Sequence, residues 1–323
     1  MENFIKDGKL IPEKEWHNYI DKLEKEVEEL IKENNKQIKN KKKPKDELYN
    51  QQKIKLKNAI IEAIKVRIPK EKFAVFFSGG VDSTFISFVL KQLSETRSNK
   101  IPNFTCYTVG YKVEKSELPL DIVYAHVVGD ELKLKVVTKL FNLEEAENII
   151  KKTVKILNPN KNEKITLVVN SGVGAVVVAA TSIAKEKIFF SGLGSEEIFA
   201  GYKRHEDAKN ANKECWNGLK QMWKRDLERD TTIGKNLNIN VRTPFMDENV
   251  IKIAMQIDSK NKINKENKKI VLREIAEEMG LNPKYSWRKK LGAQYGSKFD
   301  RAIEKLTKLN GSKTKDEYLE SLK

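Results

Sequence analysis

Five apolar residues, Phe73 to Phe77, run without a break into Ser78-Gly79-Gly80-Val81-Asp82-Ser83, and an amphipathic pattern begins directly afterwards at Thr84. A β-rich run, a double glycine and a helix in that order restrict the chain to folds in which a strand turns sharply into a crossover helix. The alternation continues downstream. Asn103 to Val109, Lys133 to Val137 and Lys187 to Ser191 read as strands. Thr84 to Gln92, Ile122 to Gly129, Glu144 to Ile156 and Thr166 to Ala184 read as helices between them. Such alternation implies a parallel sheet covered on both faces. The expected class is α/β, a doubly wound parallel sheet with an N-terminal helical arm and a helical C-terminal part.

The loop itself has a chemistry. Two adjacent glycines let the backbone turn tightly and bring N–H groups close to a ligand, while Ser78, Ser83 and Thr84 place hydroxyls at a helix N-terminus, where anions are favoured. That geometry makes a phosphate cradle. It is not the G-x-x-x-x-G-K-[ST] loop, because no lysine follows the glycines and Asp82 stands inside the turn. A carboxylate beside phosphates requires a cation, so Asp82, expected to be exposed in the loop, is a candidate Mg²⁺ ligand.

Ahead of this region, Trp16, Tyr19, Ile20, Leu23, Val27, Leu30 and Ile31 recur at three- and four-residue steps, predicting an amphipathic helix over Glu13 to Asn34 whose stripe needs a partner. The lysine-rich stretch Lys36 to Lys45, broken by Pro44, reads as a solvated linker. A second helix over about Leu48 to Arg67 carries Ile54, Leu56, Ile60, Ile61, Ile64 and Val66 up to Pro69, where the composition changes. The expected division is a helical extension over residues 1–50 and a larger domain over 51–323. Past Gly201 the chain reads as mainly helical, with Trp216, Leu219, Met222, Trp223 and Leu227 on one stripe.

The 323 residues are ample for a core without disulfides, and Cys106 and Cys215 form no C-x-x-C pair, which suits a reducing cytoplasm. Met1 to Leu10 holds scattered charges and no apolar core of a signal peptide. Ile165 to Ala184 is uncharged, but Asn170, Ser171, Gly172, Gly174, Thr181 and Ser182 interrupt it, so a buried helix is expected and no membrane span. The formal charge of +16 attracts phosphates, nucleotides and nucleic acid. Aromatics are not interleaved with the lysines as a single-strand stacking platform needs, so nucleic acid stays open as a partner without being indicated.

The loop resembles the Ser-Gly-Gly-x-Asp-Ser signature of the N-type ATP pyrophosphatases, the PP-loop superfamily, whose sheet is of the adenine nucleotide alpha hydrolase-like kind. A second block, Phe189-Phe190-Ser191-Gly192-Leu193-Gly194-Ser195-Glu196-Glu197-Ile198-Phe199-Ala200-Gly201-Tyr202, resembles the synthetase half of the asparagine synthetases. Three more blocks fall in that family's order: Tyr107 to Tyr111, Asn240 to Asp247, and Lys269-Ile270-Val271-Leu272-Arg273 followed by Arg288 to Ser297. The likeness covers about Ile54 to Lys298. It implies ATP and Mg²⁺ as cofactors, with ATP held by Ser78, Gly79, Gly80, Val81, Asp82 and Ser83, by the backbone near Val109, and by Ser191 and Gly192. By the same likeness Asp82 and Glu196 are metal ligands, and Lys290, Lys269 and Glu197 are catalytic, the two lysines neutralising the pyrophosphate that leaves.

Two departures qualify what the likeness implies. The family's glutaminase half uses a cysteine at position two, where this chain has Glu2, so hydrolysis of glutamine is not expected of it. Where relatives commonly carry a polar or acidic residue in Ser-Gly-x-Gly, here stands Leu193, which cannot act as a base. The implied activity is an AMP- and pyrophosphate-forming ligase that adenylates a carboxylate, by default aspartate, with ammonia or a separate ammonia-supplying protein completing asparagine. The alternatives are adenylation of a tRNA base, or a nucleotide-binding scaffold with weakened catalysis.

Overall fold

A computed structural model describes residues 2–41, 45–95, 101–113, 117–157, 167–289 and 291–323. Its strands are β1 (Ile5–Lys6), β2 (Lys9–Leu10), β3 (Phe73–Phe76), β4 (Phe104–Tyr111), β5 (Val136–Phe141), β6 (Ile188–Phe190) and β7 (Asn240–Arg242). The chain divides into two compact units. One comprises residues 1–68, 192–223 and 242–287, the other residues 69–191, 224–241 and 288–323.

The second of these holds the sheet. Its strand order is β5-β4-β3-β6-β7, with β3 parallel to both β4 and β6, and β4 parallel to β5. Helices flank it, giving the α/β architecture expected from the alternation. The central strands are apolar on both sides, as a doubly covered parallel sheet requires: seven of the eight residues of β4 are buried. Strand order runs outward from β3 through β4 to β5 and then returns to β6 and β7 on the other side, so the order reverses between β3 and β6. In open α/β sheets such a reversal, at the carboxyl ends of the strands, is where ligands bind.

The uncharged stretch is the helix Leu167–Ile183, packed in the core of this unit. Its small residues serve close approach: a Cβ on Gly174 would sit 2.9 Å from both Ile233 and Thr153 of neighbouring helices. No helix among the described residues is long and apolar enough to cross a membrane.

The other unit is helical. Trp16, Ile20, Leu23 and Val27 are buried, and Trp16 donates its indole N–H to the Leu219 carbonyl at 2.8 Å, so the stripe of the first helix finds its partner in the helix Ala211–Met222. A short β1–β2 hairpin precedes the first helix, and Trp223 Nε1 donates to the Ile11 carbonyl at 2.8 Å. The first fifty residues therefore cluster with later segments of the chain.

Several boundaries differ from the sequence reading. The first helix runs from Glu13 to Lys41 and the next from Lys45 to Lys65, so most of the expected linker is helical; Pro44 lies outside the described residues. Lysine is a good helix former, and its solvated charge does not break a helix. Ile54 and Val66 are exposed and belong to no core face. The strand expected at Lys133 to Val137 begins only at Val136, because Lys133 takes a left-handed backbone (φ 51°) and Leu134 N–H closes onto the Gly129 carbonyl, a helix stop with the pattern of a Schellman cap. The pairs β1 and β2 and the three-residue β7 are too short for periodicity to reveal.

Candidate functional site

In the sheet-bearing unit, β3 delivers the chain to Ser78 at the point where strand order reverses. Phe77 N–H donates to the Tyr107 carbonyl, and the Thr108 hydroxyl donates to the Phe77 carbonyl, fixing the last residue before the turn. Gly79 then adopts φ +64°, and a Cβ there would lie 2.8 Å from the backbone carbon of Tyr124. Only glycine fits both the dihedral and the approach. The turn is closed by its own serines: Ser78 N–H donates to Ser83 Oγ at 3.2 Å, Gly80 N–H to Ser78 Oγ at 3.3 Å, and Ser83 Oγ to the Gly80 carbonyl at 3.2 Å. Thr84 N–H reaches the Gly80 carbonyl at 2.9 Å and starts the helix Val81–Glu95.

Asp82 corrects one expectation. It is 3% exposed and sits in the first turn of that helix rather than in an exposed loop. A carboxylate there complements the helix dipole. Val81 and Ser83 are buried in the same turn. Val109 lies in β4 two residues past the last β3–β4 pair, Phe76 with Tyr107, and pairs with Lys139 of β5. Ser191 follows β6, whose Phe190 pairs with Val75, so it leaves the sheet beside the end of β3.

Three residues join this loop that the sequence did not single out. Arg288 Nη1 donates to the Ser78 carbonyl at 3.0 Å, its guanidinium carbon lies 3.7 Å from the centroid of the Tyr124 ring, and its Nη2 is 3.6 Å from Asp121 Oδ1. Burial lowers the Arg288 pKa from its ordinary value while Asp121 and Tyr124 act against that shift. The arginine stood inside the block Arg288 to Ser297, but nothing local in the sequence ties it to Ser78, 210 positions away. Asp121 in turn packs against Gly296, where an added Cβ would lie 2.4 Å from its Oδ1.

The helical unit carries the second block. Ser195 N–H donates to the Gly192 carbonyl at 3.3 Å, and a short helix Ser195–Ile198 follows Gly194, which has φ +91° against Met246. Lys269 Nζ lies 2.8 Å from Glu196 Oε1 and donates to Ser195 Oγ at 3.0 Å. A Cβ on Gly201 would overlap Glu196 Oε2 at 1.8 Å and approach Lys269 Cε to 2.5 Å, so this glycine is the clearance the ion pair needs. Glu197 is buried, with its Cγ 3.5 Å from where a Gly218 Cβ would sit. Lys290 lies outside the described residues. No group of three or more His, Cys, Asp or Glu side chains among the described residues could hold a metal ion.

A doubly wound sheet with a glycine loop at its reversal point, closed by serine hydroxyls at a helix N-terminus, defines an α/β protein of the class whose strand ends receive anionic ligands. The chain belongs to the asparagine synthase family, whose model matches residues 55–228 and 205–321. It is 28% identical over 313 residues to a putative glutamine-hydrolysing asparagine synthetase of Methanocaldococcus jannaschii, covering 83% of this chain and 53% of that protein. It is 24% identical over 279 residues to the glutamine-hydrolysing asparagine synthetase B of Escherichia coli, covering 82% and 49%. The chain thus spans about half the length of these relatives. Among solved structures, the U34-tRNA thiolase NcsA from Methanococcus maripaludis is 13% identical, with coverage of 83% and 76% and a TM-score of 0.35, too loose a likeness to bear on function.

Proposed function

We propose that the chain is a ligase that splits ATP into AMP and pyrophosphate while adenylating a carboxylate, by family likeness aspartate, with ammonia converting the acyl-adenylate to asparagine. The observation that carries this reading is the Ser78–Ser83 turn: Gly79 in left-handed backbone pressed against the Tyr124 backbone, with Arg288 holding the Ser78 carbonyl. In this reading the turn's hydroxyls and the start of the helix Val81–Glu95 hold the phosphates, the Ser78 and Gly80 N–H groups serving to shape the turn, and the backbone at Val109 and Ser191 borders the nucleotide. A preorganised cradle of this kind costs no rearrangement as charge develops.

The donors present fit Mg²⁺. That ion takes hard oxygens from one or two carboxylates and completes its shell with phosphate and water, so a single Asp82 beside a phosphate cradle is an adequate protein share. When bound, Mg²⁺ supplies charge neutralisation to the triphosphate. Glu196 is the second proposed ligand, with Lys269 2.8 Å from its Oε1. We assign to Lys269 and Lys290 the stabilisation of the departing pyrophosphate, and to Glu197 the support of that segment from its buried position.

Nitrogen enters, in this proposal, as ammonia, free or delivered by a separate protein. The buried, unpaired thiols Cys106 and Cys215 support a cytoplasmic setting; burial pushes the Cys106 pKa up to about 12. The test is incubation of the purified chain with Mg-ATP, aspartate and ammonium. AMP, pyrophosphate and asparagine in equal amounts are expected, and glutamine without ammonium should give none; release of ADP and phosphate, or no aspartate-dependent AMP, would reject the reading.

A further inference from the structure

We propose that the sheet-bearing unit has a binding site for the phosphodiester backbone of RNA, separate from the Ser78 loop, in a cavity of about 490 Å³ between the helices Leu143–Leu157 and Glu228–Leu237. This goes beyond the ligase reading and does not depend on it. The first helix turns Ala146, Ile149, Ile150, Thr153 and Val154 into the core. Helical spacing then sets Asn148, Lys151, Lys152, Lys155 and Ile156 on one outward face, and Asn236 meets them from the second helix. Glu147 lies 2.7 Å from Lys151, but no acidic side chain lines the cavity itself.

Folding alone does not call for this arrangement. Like charges three and four residues apart on a helix oppose it by a few tenths of a kcal/mol. The helix dipole rewards a cation in the last turn, which describes Lys155 but not Lys151 or Lys152. Amines and carboxamides without carboxylates form a donor set for phosphate oxygens and ribose hydroxyls.

The position sets the site apart from the nucleotide loop. The helix Glu228–Leu237 ends just before β7, whose Asn240 meets the residue that precedes β6, so the end of this helix lies by the amino-terminal end of β6, opposite the Ser78 end of the parallel β3. The exposed Lys187 precedes β6 at that end, its carbonyl accepting from Asn240 N–H at 2.7 Å, and Lys235 adjoins Asn236. Three lysines in the cavity wall, with Lys235 and Lys187 by the end of the second helix, exceed what one small phosphate needs and match a polyanion, in a chain of formal charge +16. No aromatic side chain lines the cavity, so contacts would be to the backbone, with strong salt dependence and little sequence preference.

The test measures binding of a short labelled single-stranded RNA by fluorescence anisotropy across a salt series, without ATP. Wild type should bind at about 50 mM salt, and the variant Lys151→Gln/Lys152→Gln/Lys155→Gln should bind on the order of tenfold more weakly, with its log–log salt slope reduced by about 2. These side chains project from the fold, so the melting temperature should not change. A control with equal charge removed elsewhere, Lys9→Gln/Lys14→Gln/Lys25→Gln, should bind like wild type. Absence of RNA binding by wild type, or equal losses in both variants, overturns the proposal. So does a cavity variant that loses tripolyphosphate but keeps RNA, which would make the site one for a small phosphate.

Discussion

Lys269 holds its ammonium 2.8 Å from Glu196 Oε1 from a residue whose own backbone is left-handed, φ 58° and ψ 34°, at the start of the helix Ile270–Glu278. Both side chains are largely removed from solvent, so the pair fixes a cation in one place, with Gly201 supplying the room for it. Left-handed backbone at a lysine costs roughly 1 kcal/mol, which the Ser195 and Glu196 contacts offset. If that cation serves the leaving pyrophosphate, Gly201→Ala should displace it and lower kcat on the order of a hundredfold, with a smaller change in KM for ATP. Equal proportional changes in kcat/KM and ATP affinity would instead make Lys269 a binding charge only.

Asp82→Asn keeps the shape of a side chain that is almost wholly buried while removing its charge. AMP formation should fall by at least about a hundredfold, and raised Mg²⁺ should restore little of it. Turnover within tenfold of wild type, with the fold verified by circular dichroism, would remove the metal role. Gly79→Ala is expected to abolish ATP binding in isothermal titration, because its Cβ would press into Tyr124 backbone atoms 2.8 Å away.

Lys290→Ala tests the other lysine assigned to pyrophosphate. A fixed ammonium beside oxygens that gain charge as the α–β bond breaks stabilises the transition state more than bound ATP. Its loss should lower kcat by roughly two to three orders of magnitude and leave ATP affinity within a few-fold. Pre-steady-state measurement of pyrophosphate release separates this from slowed product departure.

Lys262 predicts a pH-dependent stability. It is fully buried, with Met255 Sδ 3.5 Å from its amine, and burial lowers its pKa from 10.5 to about 8, against smaller raising effects of Cys215 and Asp258. Below about pH 8 the amine is charged in both folded and unfolded chains, and the cost of burying that charge, on the order of 3 kcal/mol, is fully present. Between about 8 and 10.5 the unfolded chain binds the proton that the folded chain has released, so stability rises with pH. Lys262→Met should therefore raise the melting temperature at pH 7 by several degrees, with most of the gain gone at pH 10. An unchanged difference at both pH values would show that packing, and not charge, separates the two proteins.

The order of strands and helices, the Ser78 to Ser83 turn and the Ser191 to Tyr202 block were legible in the sequence because each rests on neighbours. Hydrophobic period, adjacent glycines and hydroxyls at a helix start act within a few residues. The uncharged stretch was legible as a buried helix for the same reason: its polar residues interrupt the run locally. Sequence could not show that Arg288 grips the Ser78 carbonyl, that Gly201 clears the Glu196–Lys269 pair, or that Asp82 is buried. Those facts join positions tens to hundreds of residues apart, and only packing decides which surfaces meet. The linker expected between the first two helices was drawn to start too early for a related reason: a run of lysines looks solvated whether or not it is helical, and burial of Trp16 and Ile20 against later segments anchors the helix that continues to Lys41. Local pattern thus determined the sheet and the loop that turns from it, whereas tertiary structure alone decided which charges stand fixed beside one another, because electrostatic partnership depends on distance in space and not along the chain.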